Sequence, residues 1–126
     1  MKNKLVLIIN EDKVLCEQYA VQLQSRGYNT LIAHTARRGY EIAVESDPDL
    51  IYIDAIMAMD TEKFNIIKEL QHNESTVHTP IVLIKGLMRQ SRVDIEKEVE
   101  SRGADIADII SVEEGATRAA DAAKNR

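Results

Sequence analysis

Residues 80–86 read PIVLIKG. Ile81 to Ile84 form an unbroken apolar run that ends on Lys85. A strand without polar alternation has to be covered on both faces, which parallel sheets sandwiched between helices provide. Leu5–Ile9, Thr30–Ala33, Leu50–Ile53 and Ile106–Ile110 are comparable runs, recurring at intervals of roughly 25 residues.

Helical stripes separate these runs. Leu15, Tyr19 and Leu23 repeat every four residues ahead of Gly27, a helix stop. Ala36, Tyr40, Ala43 and Val44 follow an N-cap candidate at Thr35, and Asp47-Pro48 ends that stretch. Phe64, Ile67 and Leu70 give a third stripe. Ile95 and Val99 give a thin fourth ending at Gly103, and Ala116, Ala119, Ala120 and Ala123 a fifth made only of small residues. Strand–helix alternation five times over predicts a doubly wound α/β domain spanning 1–126. Its five-stranded parallel sheet carries helices on both faces, joined by right-handed crossovers.

Composition narrows the function classes. The chain of 126 residues is 44% hydrophobic and 29% charged, ordinary for a globular domain. Its net charge of −5 argues against a nucleic-acid partner. Arg37-Arg38 reads as a solvated helix surface. Cys16 is the single cysteine, so no disulfide framework exists and a reducing, cytoplasmic location is expected. No apolar run approaches the length of a membrane span, and no secretory signal is recognisable.

In doubly wound folds the functional crevice lies beyond the carboxyl ends of the strands. The first strand delivers Asn10, Glu11 and Asp12, the third Asp54, then Ala55, Ile56 and Met57, and the fourth Lys85 and Gly86. The fifth delivers Ile109 and Ile110, then Ser111. Glu11, Asp12 and Asp54 together suit a hard cation of the magnesium type. Asp12 reads in the first place as the N-cap of the first helix. No glycine-rich phosphate loop of the dinucleotide or Walker type is present, and no nucleophile–base pair points to an independent enzyme. His34, His72 and His78 lack ligand spacing and read as surface residues. Cys16 reads as a small core or helix-surface residue, and Met57 and Met59 as packing.

In order and spacing these segments resemble the receiver domains of bacterial two-component response regulators. LVLIINED (5–12) resembles the first strand and its acidic cluster, and Gly27-Tyr28 the dipeptide that closes the first helix. PDLIYIDAIMAMD (48–60) resembles the stretch around the phosphorylated aspartate, TPIVLIKG (79–86) the fourth strand, and RGAD (102–105) the segment before the fifth. The resemblance implies a flavodoxin-like (βα)5 fold with strand order 2-1-3-4-5. It implies Asp54 as phosphoacceptor, Glu11 as the direct magnesium ligand, the Ile56 carbonyl as the backbone ligand, and Asn10 as a ligand acting through water. Its partners would be a histidine kinase or another signalling protein. A homodimer is conceivable through the face of the fourth helix, fifth strand and fifth helix, where small residues allow close approach. No effector domain is expected after the fifth helix.

Departures from the pattern cluster at the site. The first acidic position is Asn10, which is neutral, and the Ser/Thr position of the fourth strand is Lys85. The lysine after the GAD motif has no counterpart, since counting reaches Ile110, or Asp108 when shifted by two. Ala107 stands at the aromatic switch position, Ala58 at the proline, and MDTEK (59–63) at the glycine-rich turn. Magnesium affinity is therefore expected to fall. The expectation is a degenerate receiver, signalling by protein contact with impaired phosphorylation; the alternative is a slow phosphoacceptor at Asp54. Lys85 either pairs with Asp54, or touches phosphoryl oxygens in place of the missing lysine, or snorkels to water.

Overall fold

Strands form where the apolar runs lie, and the carboxyl ends of all five strands share one edge of the sheet. The computed structural model describes residues 4–60, 62, 64–85, 95, 97, 106 and 108–111, the last four as backbone. The elements are β1 (Leu5–Ile9), α1 (Lys13–Ser25), β2 (Asn29–Ala33), α2 (Ala36–Ser46), β3 (Leu50–Asp54), α3 (Ala55–Met59), α4 (Ile66–Gln71), β4 (Ile81–Lys85) and β5 (Asp108–Ser111). The sheet is parallel throughout, in the expected order β2-β1-β3-β4-β5. Gly86, Ala107, Val99 and the small-residue stripe 116–123 lie outside the described residues, as does most of the fourth stripe, so of the expected dimer face little beyond β5 is described, and β5 as backbone.

Pleating splits the strand residues between two cores. Leu7, Ile9, Ile51, Ile53, Ile81 and Leu83 pack on one face with Ala43 of α2, Ala58 of α3, and Ile66 and Leu70 of α4. Val6, Ile8, Leu50, Tyr52, Val82 and Ile84 pack on the other with Cys16, Tyr19, Ala20 and Leu23 of α1. The Tyr19 and Tyr52 rings meet edge to face, 6.0 Å apart at 83°. Fully burying each aliphatic side chain is worth about 1.5–3 kcal/mol, so the two-sided core dominates the stability of the sheet. β2 lies at the sheet edge and buries only Ala33 fully, which is why its sequence mixes polar and apolar residues.

Caps fall where the sequence places them. Asp12 accepts from the Leu15 N–H at 3.1 Å and caps α1, while Thr35 accepts from Arg38 N–H at 3.1 Å and caps α2. At the end of α1, Gly27 adopts φ 89°, and the Tyr28 and Gly27 amides close onto the Leu23 and Gln24 carbonyls. Asp47, with φ 50°, ends α2 ahead of Pro48. The region after β3 departs from expectation: α3 winds directly from the strand end, ahead of the stripe that becomes α4. Neither proline nor glycine interrupts 55–59, so every residue there has the N–H a helical turn needs.

α2 rests unusually close to β1. A Cβ built on Gly39 would stand 2.5 Å from Ile9 Cδ1 and 2.8 Å from Cγ1, and the Ile9 side chain is fully buried. Gly39→Ala is therefore expected to destabilise the domain by about 1–2 kcal/mol net, overpacking outweighing the gain in helix propensity. Urea denaturation followed by circular dichroism checks this; an unchanged or raised midpoint would contradict it.

Candidate functional site

Asn10 follows β1 and is 5% exposed. Its N–H donates to the Ala33 carbonyl at 3.0 Å, and its own carbonyl accepts from the Cys16 thiol at 3.4 Å. That carbonyl also lies 3.0 Å from His34 Nδ1. A carbonyl can only accept, so the proton sits on Nδ1 of His34. The Asn10 Oδ1 accepts from the Asp12 N–H at 2.9 Å, which fixes the orientation of the amide. Its NH2 group finds no acceptor among the described residues.

Asp54 ends β3 and caps α3. Its Oδ2 accepts from the Met57 N–H at 3.2 Å, and the Ile56 N–H adds a second backbone contact. Burial pushes its carboxyl above the ordinary value, nearby Glu11 pushes the same way, and the two N–H groups pull against them. Glu11 and Asp54 both line a cavity of about 500 Å³ at the strand ends. Across it stand His34 and Arg37 at the start of α2, with Met57 and Phe64 as apolar wall. The Arg37 guanidinium lies over the Phe64 ring at 4.8 Å, and Tyr40 packs against the same ring. Arg37 is thus held on the cavity wall, whereas Arg38 is solvated and pairs with Glu41 at 3.5 Å.

Of the roles open to Lys85, the ion pair does not form: Lys85 does not reach Asp54 within 4.0 Å. Across the strand ends Asp54 pairs with Ile84 and Lys85 with Ser111. The Ile56 carbonyl accepts from the Asp60 N–H at 3.1 Å inside the helical turn. Among the described residues no three His, Cys, Asp or Glu side chains converge as a metal-binding group. The other assignments agree with the geometry: Asp12 is a cap, and Met57 and Met59 pack against the core.

His34 and Arg37 are the site residues that the strand-end reading passed over. His34 directly follows β2, so extending that reading to the second strand would have found it.

Comparisons place this geometry among known proteins. No protein-family model matches the chain. It is 30% identical over 84 residues to the phosphate regulon transcriptional regulatory protein PhoB of Pseudomonas aeruginosa, covering 67% of this chain and 36% of that protein. It is 28% identical over 82 residues to the DNA-binding dual master transcriptional regulator RpaA of Synechocystis, covering 65% of this chain and 34% of that protein. The chain therefore spans about a third of either relative. Among solved structures, a response regulator from Desulfuromonas acetoxidans superposes with TM-score 0.79 at 19% identity, covering 97% of this chain and 94% of that one. FixJ-N gives TM-score 0.73 at 19% identity, covering 100% and 97%.

The chain has the fold of a response-regulator receiver domain. In this receiver fold the crevice with Asp54 lies at the expected edge, and no described helix is long and apolar enough to cross a membrane.

Two outcomes follow from the receiver site's electrostatics. Because the Asp54 carboxyl is raised in the folded state, ionising it costs stability: its contribution is intact below 3.8 and lost as pH rises through the raised value. Asp54→Asn keeps a capping oxygen, so it is expected to raise the urea midpoint at pH 7, with the difference vanishing below pH 3.8. A midpoint lowered at pH 7 would contradict this. Burial, with Asp12 adding to it, pushes the Cys16 thiol up to about 11. Ellman's reagent at pH 8 is expected to modify Cys16 only after unfolding; fast reaction of the native chain would refute that.

Proposed function

We propose that this chain is a regulatory receiver domain of two-component signal transduction that acts through protein–protein contact, with phosphorylation impaired. The observation that carries the reading is the state of Asp54. Its carboxylate caps α3 through backbone N–H groups, and Lys85 makes no ion pair with it within 4.0 Å. An incoming phosphoryl group would need countercharge at that mouth. Among the described residues lining the cavity only Arg37 carries a fixed positive charge, and it is stacked on Phe64. Lys85 also has no hydroxyl with which to follow a phosphoryl group.

The partner in this reading is another signalling protein, a histidine kinase among them, met in the cytoplasm. The domain is not an enzyme beyond any chemistry on its own aspartate. The two relatives are named as transcriptional regulators, and control of transcription by a longer protein containing this chain would be consistent with them.

A second reading is supported by Asp54 and Glu11 lining one cavity. There the domain accepts a phosphoryl group on Asp54 with magnesium, slowly. Incubating wild type and Asp54→Asn with magnesium and acetyl phosphate, then recording intact mass and amide shifts, separates the two. The first reading expects no mass gain in either protein. A stoichiometric gain in wild type alone would establish the second.

A further inference from the structure

We propose that the crevice of this chain is not a divalent-cation site, and that the neutral, buried amide of Asn10 is the main reason. The inference rests on the receiver reading of the crevice but concerns its cofactor, not its phosphorylation. Magnesium requires near-octahedral oxygen ligands at about 2.0–2.1 Å and is drawn by carboxylate charge. Asn10 Oδ1, Asp54 Oδ2 and the Ile56 carbonyl each already accept from a backbone N–H.

Asn10 supplies the first observation. Oδ1 accepts the Asp12 N–H, so the opposite end of the amide is a donor, and at 5% exposure it has no acceptor among the described residues. The amide oxygen that could have met a cation's water shell is engaged by Asp12 N–H, and the neutral amide offers the ion no charge. Ile56 supplies the second, independent observation. Its carbonyl accepts from Asp60 N–H at 3.1 Å because residues 55–59 wind as a helical turn, so it runs along that turn. What remains is Glu11, which is exposed, and Asp54, which caps α3. Of the two losses the charge weighs more, since water can replace a carbonyl ligand but not a carboxylate.

The test is a magnesium titration of the wild-type chain without any phosphodonor, following the amide resonances of Glu11, Asp54 and Ile56. Wild type is expected to show no saturable shift at concentrations roughly tenfold above the millimolar affinities of weak cation sites. Asn10→Asp is expected to acquire saturable binding at least about tenfold tighter, and adding Glu11→Gln to it to abolish that gain. Saturable shifts at all three residues in wild type would overturn the inference, as would a folded Asn10→Asp chain that gains nothing. If Asn10→Asp does not fold, the wild-type titration decides alone. Magnesium binding by wild type would sink this inference while leaving the protein-contact reading to its own mass measurement.

Discussion

Asn10 ties three elements together at the carboxyl edge of the sheet. Its N–H reaches the end of β2, its carbonyl takes both the α1 thiol of Cys16 and the His34 ring, and its side chain sets the entry to α1. Each such bond contributes about 1 kcal/mol net, and leaving a buried member unpaired costs about 1–3 kcal/mol. The geometry of the whole mouth depends on this residue. It fixes where Glu11 leaves β1, where Asp12 caps α1, and where His34 meets the cavity. A carboxylate at the same place would bring charge into a site that is 5% exposed.

That constraint bears directly on function. The receiver fold brings Asp54 to the crevice, but this chain occupies the aspartate with its own helix. The local cause is the stretch Ala55–Met59, which has no residue to stop a helical turn from starting at the strand end. One turn of helix thus takes up both the Asp54 carboxylate and the Ile56 carbonyl. On the neighbouring strand Lys85 makes no ion pair with Asp54 within 4.0 Å. The Asn10 amide and the helical turn at 55–59 are two separate local features at the same mouth.

The sheet was legible in the sequence because unbroken runs such as Leu50–Ile53 and Ile81–Ile84 admit little else than a strand covered twice. Caps at Asp12 and Thr35 and the stop at Gly27 were legible for the same kind of local reason. What escaped was geometry finer than an element. Strand position alone left open whether Lys85 meets Asp54; side-chain distance decides that, and it leaves no trace in sequence. α3 escaped because five residues carry too little periodicity to announce a helix. His34 looked like a surface histidine because its partner is a backbone carbonyl, which leaves no trace in sequence spacing.

The central claim is that the mouth of this receiver fold does not assemble the oxygen set for a metal-bound phosphoryl group on Asp54. A crystal structure of the wild-type chain grown with magnesium and beryllofluoride tests it most directly. The account predicts an Asp54 carboxylate still on the Met57 N–H, with no beryllofluoride attached to it. Beryllofluoride on Asp54, with magnesium held between Glu11, Asp54 and the Ile56 carbonyl, would contradict it.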